Sequence, residues 1–212
     1  MIDRGLIISG TDTDIGKTVL SALLMSALPD YSYWKPIQAG TLDESDTACV
    51  QRLSGCDALR IIPERYVFAN PLSPHAAAQM EGVRVESESL LLPTQTPLLI
   101  EGAGGLLVPL NENTLFIDVF KRWELPVLLS SRAGLGTINH TLLSIEALRN
   151  RVIPLLGIVM IGDLNISNER SIEHYGDTQV LGRIPRLTSL TSATLREVYR
   201  IQFQLFDTTI IA

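Results

Sequence analysis

The chain has 212 residues, 46% of them hydrophobic, enough for a sizeable α/β core and too apolar for a disordered chain. A formal net charge of -6 argues against a nucleic-acid partner held mainly by charge. No basic start precedes an apolar stretch and a small-residue cleavage site, and no apolar run approaches ~20 residues, so the expectation is a cytoplasmic protein without a membrane span.

In chain order, Leu6–Ser9 reads as a buried strand and Thr18–Ala27 as a helix with Val19, Leu20, Leu23 and Leu24 on its apolar side. Between them lies ISGTDTDIGKT, which ends as a phosphate-binding loop ends. Gly10 comes one residue too early for G-x-x-x-x-G-K-[ST], and Thr11 stands where the first glycine belongs. The context is nevertheless right: a strand, a turn and a helix start aim backbone N–H groups and a positive helix end at one point. Gly16 lets the backbone approach a phosphate, Lys17 reaches the β- and γ-phosphates, and Thr18 offers its hydroxyl to Mg²⁺. A turn merely capped by Thr18 would leave Lys17 unexplained. Asp12 and Asp14 are unexpected beside phosphates, unless they point away or meet a cation or water.

Lys17 is one of only three lysines, with Lys35 and Lys121. Tyr31–Lys35 reads as a second strand, stopped by Pro36. In a parallel sheet Lys35 then lies on the same edge as Gly16. The alternative is a solvated lysine at a strand end. Asp46–Leu53 reads as a helix, with Glu44 nearby; Asp46 is either a ligand or a helix-start carboxylate favoured by the dipole. Cys49 and Cys56 are the only cysteines, too few for a disulfide framework or a cysteine zinc site. His75, in SPH, has no metal partner at useful spacing.

Pro97–Glu101, Pro126–Ser130 and Leu155–Ile161 are continuous apolar runs, as in strands covered on both faces, and Val180–Ile184 is a weaker one. The first is read as ending in Glu101, placing a carboxylate for Mg²⁺ beside the small residues Gly102, Ala103 and Gly104; a glycine-rich turn with a solvated glutamate is the alternative. Gly134 and Gly136 lead into a helix over Thr137–Arg149, whose first N–H groups at Thr137, Ile138 and Asn139 suit an anion. A helix start capped by Thr137 or Asn139 is equally consistent, and His140 reads as structural. Ser192–Leu205 reads as a last helix. Strands alternating with helices imply one domain over residues 1–212: an α/β fold with a parallel sheet covered by helices on both faces, like the P-loop NTPases.

Together, Gly10 to Thr18 (GTDTDIGKT), the Lys35-Pro36 strand end, Ser45-Asp46, Ser73 to His75 (SPH), Glu101 to Gly105 (EGAGG) and Leu135 to His140 (LGTINH) resemble the dethiobiotin synthetase family over nearly the whole chain. This family carries the longer G-x-x-x-x-x-G-K-T loop. The resemblance implies ATP-dependent ring closure in biotin synthesis. An amine of 7,8-diaminononanoate captures CO₂ as a carbamate, a carbamate oxygen attacks the γ-phosphate, and the second amine displaces phosphate. It implies Lys17 and Lys35 as catalytic residues and Thr18, Asp46 and Glu101 around Mg²⁺. ATP would meet Asp14, Ile15, Gly16, Lys17, Thr18 and Val19, the Gly102–Gly104 backbone, Gly162 and Asp163, and Pro185, Arg186 and Leu187. Thr11, Ala39 and the Gly136–Asn139 helix start would meet the diamine, the last across a homodimer interface.

Three departures stand out. Ala39 replaces a frequent serine, Gly134 replaces a lysine found in some members, and Gly162 replaces the asparagine that reads adenine in many. Asn165, three residues on, is a candidate to fill that last vacancy. Two rival classes share the loop. Cobyrinate and cobyrate amide synthases would need a glutamine-hydrolysing domain, for which 212 residues leave no room. Partitioning ATPases typically carry a lysine early in the loop, where this chain has Thr-Asp-Thr-Asp-Ile.

Overall fold

A computed structural model describes residues 4–41, 44–204 and 206. Its central sheet is all parallel, in the order β4-β2-β6-β1-β7-β8-β9. These strands are β1 (Gly5–Gly10), β2 (Ser32–Trp34), β4 (Ile61–Ile62), β6 (Leu98–Gly105), β7 (Val127–Arg132), β8 (Leu155–Ile161) and β9 (Val180–Ile184). A separate parallel pair joins β3 (Ile37–Ala39) to β5 (Tyr66–Phe68). The helices are α1 (Lys17–Ala27), α2 (Asp46–Ser54), α3 (Pro74–Met80), α4 (Phe116–Trp123), α5 (Thr137–Arg149), α6 (Ile166–Gly176) and α7 (Ser192–Gln202).

The pleat sorts the core. Successive strand side chains point to opposite faces, so Leu6 and Ile8 of β1 pack with α1, α2 and α7, while Ile7 packs with α3, α4 and α5. A third cluster joins Leu129, Ile158 and Met160 to Ile145 of α5 and Ile172 of α6. Both faces are covered, which is why Leu6–Ile8, Val127–Leu129 and Leu155–Ile161 run apolar rather than alternating. β1 is central, its neighbours β6 and β7 both come much later in the chain, and the crevice beyond its carboxyl end is where such sheets bind ligands.

Several boundaries differ from the sequence reading. The strand read as ending in Glu101 continues to Gly105: Gly104 turns to φ 67°, the register with β1 shifts, and Gly10 aligns again with Gly105. The second strand is shorter, Ser32–Trp34, with Lys35 just beyond it. The last helix is observed over Ser192–Gln202, and Leu205 lies outside the described residues. The elements β3, β4, β5, α3, α4 and α6 have no counterpart in the sequence reading. Among the described residues, no helix is long and apolar enough to cross a membrane.

Helix α4 brings Phe116, Phe120 and Trp123 together, with ring centroids 4.8 Å apart for the two phenylalanines and 5.7 Å for Phe120 and Trp123. Phe120 is fully buried. Phe120→Ala should cost about 3–5 kcal/mol of stability through lost burial and a residual cavity. Urea unfolding measures this; a loss below about 1 kcal/mol would contradict the packing described.

Candidate active site

The loop after β1 has a steric reason for its extra residue. Ile15 folds back and is buried, and a Cβ on Gly10 would sit 2.6 Å from its Cγ2. Gly10 is therefore a packing glycine, and Thr11 begins the open part of the loop, its N–H donating to Ser130 O at 3.1 Å. Asp14 and Gly16 have positive φ, 51° and 90°, and Gly16 caps α1. Turns of this kind point backbone N–H groups into a common hollow.

Asp12 is turned away from that hollow. Its Oδ1 accepts from Thr13 N at 2.8 Å and its Oδ2 from Arg132 Nη2, at the end of β7, at 3.0 Å. Arg132 thus balances the charge that looked misplaced beside phosphates. Both side chains are about half exposed, so the pair contributes at most about 1 kcal/mol. Lys17 is buried, and its Nζ donates to Asp12 O at 2.9 Å. Burial pushes the Lys17 pKa down; Glu101 and Asp46 pull it up, Lys35 pushes it further down, and the result is lowered.

Three further elements converge on Thr18, the second residue of α1. Its Oγ1 lies 2.9 Å from Asp46 Oδ1, at the start of α2, and 3.0 Å from Glu101 Oε1 on β6. Lys35, just after β2, donates to Asp46 Oδ2 and, at 3.0 Å, to Glu101 Oε1. Lys35 and Glu101 are buried; the Asp46 side chain is 31% exposed. Burial pushes the Lys35 pKa down, but Glu101 and Asp46 outweigh it and the net shift is upward. For Asp46 burial pushes upward, and Lys35 with the Thr18 hydroxyl reverses it, leaving the carboxyl lowered. The four side chains named from the sequence therefore do meet, already charge-paired.

Two neighbours escaped the sequence reading. Tyr33 Oη donates to Glu101 Oε2 at 2.9 Å. Burial, then the charge of Glu101, push its pKa well above 10, so it stays a donor at neutral pH. The signal was available: Tyr33 and Lys35 are two residues apart on an extended segment, hence on one face. Gln38 Oε1 accepts from Asp46 N at 3.1 Å, while Ser45 Oγ accepts from Ala48 N at 3.2 Å. These bonds fix the start of α2, and nothing in the sequence pattern marks Gln38 for it.

The start of α5 has no side-chain cap: Gly136 takes φ 87°, and the Thr137 hydroxyl is drawn inward to Ser131 and Thr141 instead. The reading of Thr137 or Asn139 as a cap is thereby excluded; Thr137 N donates to Gly134 O at 3.4 Å, and the N–H groups of Ile138 and Asn139 are left to face an anion. Among the described residues, the hydrogen bonds of the Gly136–Asn139 turn run to Ser131, Gly134 and Thr141 rather than to the Lys35 cluster. A cavity of about 520 Å³ opens at the front of the loop, lined by Thr11, Leu106, Val108, Leu143 and Ala147. His140, read from the sequence as structural, lines it too.

Comparison with known proteins completes the picture. A family model described as an AAA domain matches residues 4–194. ATP-dependent dethiobiotin synthetase of Rhodopseudomonas palustris is 53% identical over 203 residues, covering 95% of each chain. That of Afipia carboxidovorans is 53% identical over 206 residues, covering 96% of this chain and 98% of its own. The chain belongs to the ATP-dependent dethiobiotin synthetase family. The solved MinC:MinD cell division complex of Aquifex aeolicus aligns with TM-score 0.58 at 14% identity over 98% of this chain and 94% of its own, which shows a common fold only.

Within the family frame, the three departures have definite places. Ala39 ends β3, half-buried against the α4-side core. Gly134 is exposed before α5. Gly162 follows β8 with φ 120°, a conformation that strains any side chain, and its N–H donates to Ile184 O at 2.8 Å. Asn165 is not free to replace a missing asparagine: it caps α6, accepting from Asn168 N at 3.0 Å. Asp163 and Arg186 form an exposed ion pair at 3.2 Å, and Pro185 and Leu187 lie half-buried after β9 on the same edge.

Lys35→Met removes the cation between two carboxylates. In the absence of metal it should cost toward the low end of about 3–5 kcal/mol, since Asp46 is partly solvated. Added Mg²⁺ should stabilise the variant more than the parent. Denaturant titrations with and without Mg²⁺ measure both; unchanged stability of the metal-free variant would contradict the pairing.

Proposed function

We propose that this chain closes the ring of dethiobiotin from 7,8-diaminononanoate, CO₂ and ATP. The observation that carries the reading is the meeting of Thr18, Lys35, Asp46 and Glu101 beside the phosphate-type loop. The open N–H groups of the Gly16 turn, with Lys17, receive the β- and γ-phosphates, and Lys17 gives up Asp12 O to do so. Asp14, Ile15 and Val19 flank them, and the Gly102–Gly104 backbone faces the same crevice. Thr18, Asp46 and Glu101 are hard oxygen donors converging from three elements, a set that fits Mg²⁺. When bound there, Mg²⁺ neutralises charge on the phosphates.

The protein's part is positioning and electrostatics, as in phosphoryl transfer generally. One diamine nitrogen attacks CO₂, loses a proton and becomes a carbamate. A carbamate oxygen attacks the γ-phosphorus and ADP leaves, giving a carbamic-phosphoric anhydride. The second nitrogen attacks the carbonyl carbon, loses a proton, and phosphate departs with the closed cyclic urea. Lys35 holds the carbamate and the migrating phosphoryl group. Thr11 and Ala39 border the diamine, whose aliphatic chain suits the Leu106, Val108, Leu143 and Ala147 wall. The open start of α5, Gly136–Asn139, receives the substrate carboxylate of a partner subunit in a homodimer.

Phosphate release should require both the diamine and bicarbonate, with dethiobiotin appearing in equal amount. Lys35→Met should lower this turnover about a hundredfold. Phosphate release indifferent to both substrates would instead mark a switch ATPase and sink the reading.

Base selectivity follows from Gly162. A polar side chain reading a base is worth about 1–3 kcal/mol, and here the position has no side chain while Asn165 is engaged in capping. ATP should therefore be favoured over GTP and CTP by less than about tenfold in kcat/KM. A strong preference lost in Asn165→Ala would transfer the role to Asn165. A strong preference surviving that change would assign the base to backbone groups near Pro185 and Leu187.

A further inference from the structure

We infer that Tyr33 is a positioning residue for the metal-bearing carboxylate, its phenol holding Oε2 of Glu101 so that Oε1 faces Thr18 and Lys35. The inference rests on the reading of Thr18, Asp46 and Glu101 as the Mg²⁺ donors and goes beyond it.

The two oxygens of Glu101 have divided tasks. Oε1 meets Thr18 Oγ1 at 3.0 Å and Lys35 Nζ at 3.0 Å, and both of those groups belong to the crevice. Oε2 faces the protein, where Tyr33 Oη donates to it at 2.9 Å. Tyr33 is completely buried, and its ring fills the core between the sheet and α1 and α2. The hydroxyl is therefore the only part of Tyr33 that reaches the site, and it does so from the side of Glu101 opposite the crevice. A carboxylate held by one oxygen cannot rotate about its terminal bond without breaking that bond. Donors behind a metal ligand orient it and raise the affinity of the site. Lys35 shares this segment, so β2 delivers two groups to one carboxylate: a cation to the reactive oxygen and a neutral donor to the other.

A buried tyrosine needs a partner for its hydroxyl in any case, so the test must separate positioning from core filling. Tyr33→Phe keeps the ring and removes only the donor. With a non-hydrolysable ATP analogue bound, Mn²⁺ affinity read by electron paramagnetic resonance should fall about ten- to a hundredfold, while affinity for the analogue without metal stays at the parent value. In a Glu101→Gln background the same change should cost no further Mn²⁺ affinity. Parent-like Mn²⁺ binding in Tyr33→Phe overturns the inference, as does an equal loss of metal-free nucleotide binding. If Tyr33→Phe does not fold, fluorotyrosine at position 33 carries the test. Its fluorine resonance should shift when Mg²⁺ joins the nucleotide and should not shift in Glu101→Gln; an invariant resonance in the parent background overturns the inference. None of these readouts involves the diamine, so a failure of the assigned reaction shows separately as diamine-independent phosphate release.

Discussion

A buried lysine between two carboxylates is the constraint on which the rest of the site depends. Lys35 has no water to neutralise it, and Glu101 has none either; each is tolerable at that depth because of the other. Asp46 completes the set from the more exposed side. This balance ties β2, α2, β6 and α1 to one point, so the site is assembled before any ligand arrives. Under the proposed function, lysine suits position 35: a compact ammonium on a flexible stem can hold the carboxylates when alone and would turn to a migrating phosphoryl group once a divalent cation took over their charge.

Much of the scaffold was legible because burial on both faces leaves a plain mark. Leu6–Ile8 of β1, Val127–Leu129 of β7 and Leu155–Ile161 of β8 are runs without a polar side chain. The elements that were not legible are those with weak local signals. β4 has two residues and β3 and β5 three each, too short for any period to show. α4 follows Leu115, whose side chain offers no polar cap, and runs only eight residues. α6 buries only Ile172 and Gly176, so it carries no apolar stripe even though Asn165 marks its start. Glycines misled at the end of β6: EGAGG has the composition of a turn, but the strand passes through it as an irregularity, Gly104 at φ 67°, and pairs with β1 again at Gly105.

The site was partly legible for a different reason. Lys17, Lys35 and Asp46 are unusual residues at a strand end or helix starts, which a parallel sheet brings to one edge, and Glu101 is a carboxylate inside an otherwise apolar strand. What sits behind them was hidden, because Tyr33 and Gln38 look like core and loop until their partners are known. Asp12 was puzzling for the same reason. Its partner, Arg132, lies 120 residues away in sequence. The fold shared with the MinC:MinD structure, at 14% identity, makes the point from the other side: an architecture does not fix the chemistry, which is set by the residues that stand at the edge.

The central claim is that this edge directs the γ-phosphate of ATP to a carbamate rather than to water. The direct measurement is the fate of oxygen from isotopically labelled bicarbonate. The carbamate oxygen that attacks phosphorus leaves with it, so one labelled oxygen should appear in each phosphate released together with dethiobiotin. Phosphate carrying an oxygen from water instead, with none from bicarbonate, would contradict the account.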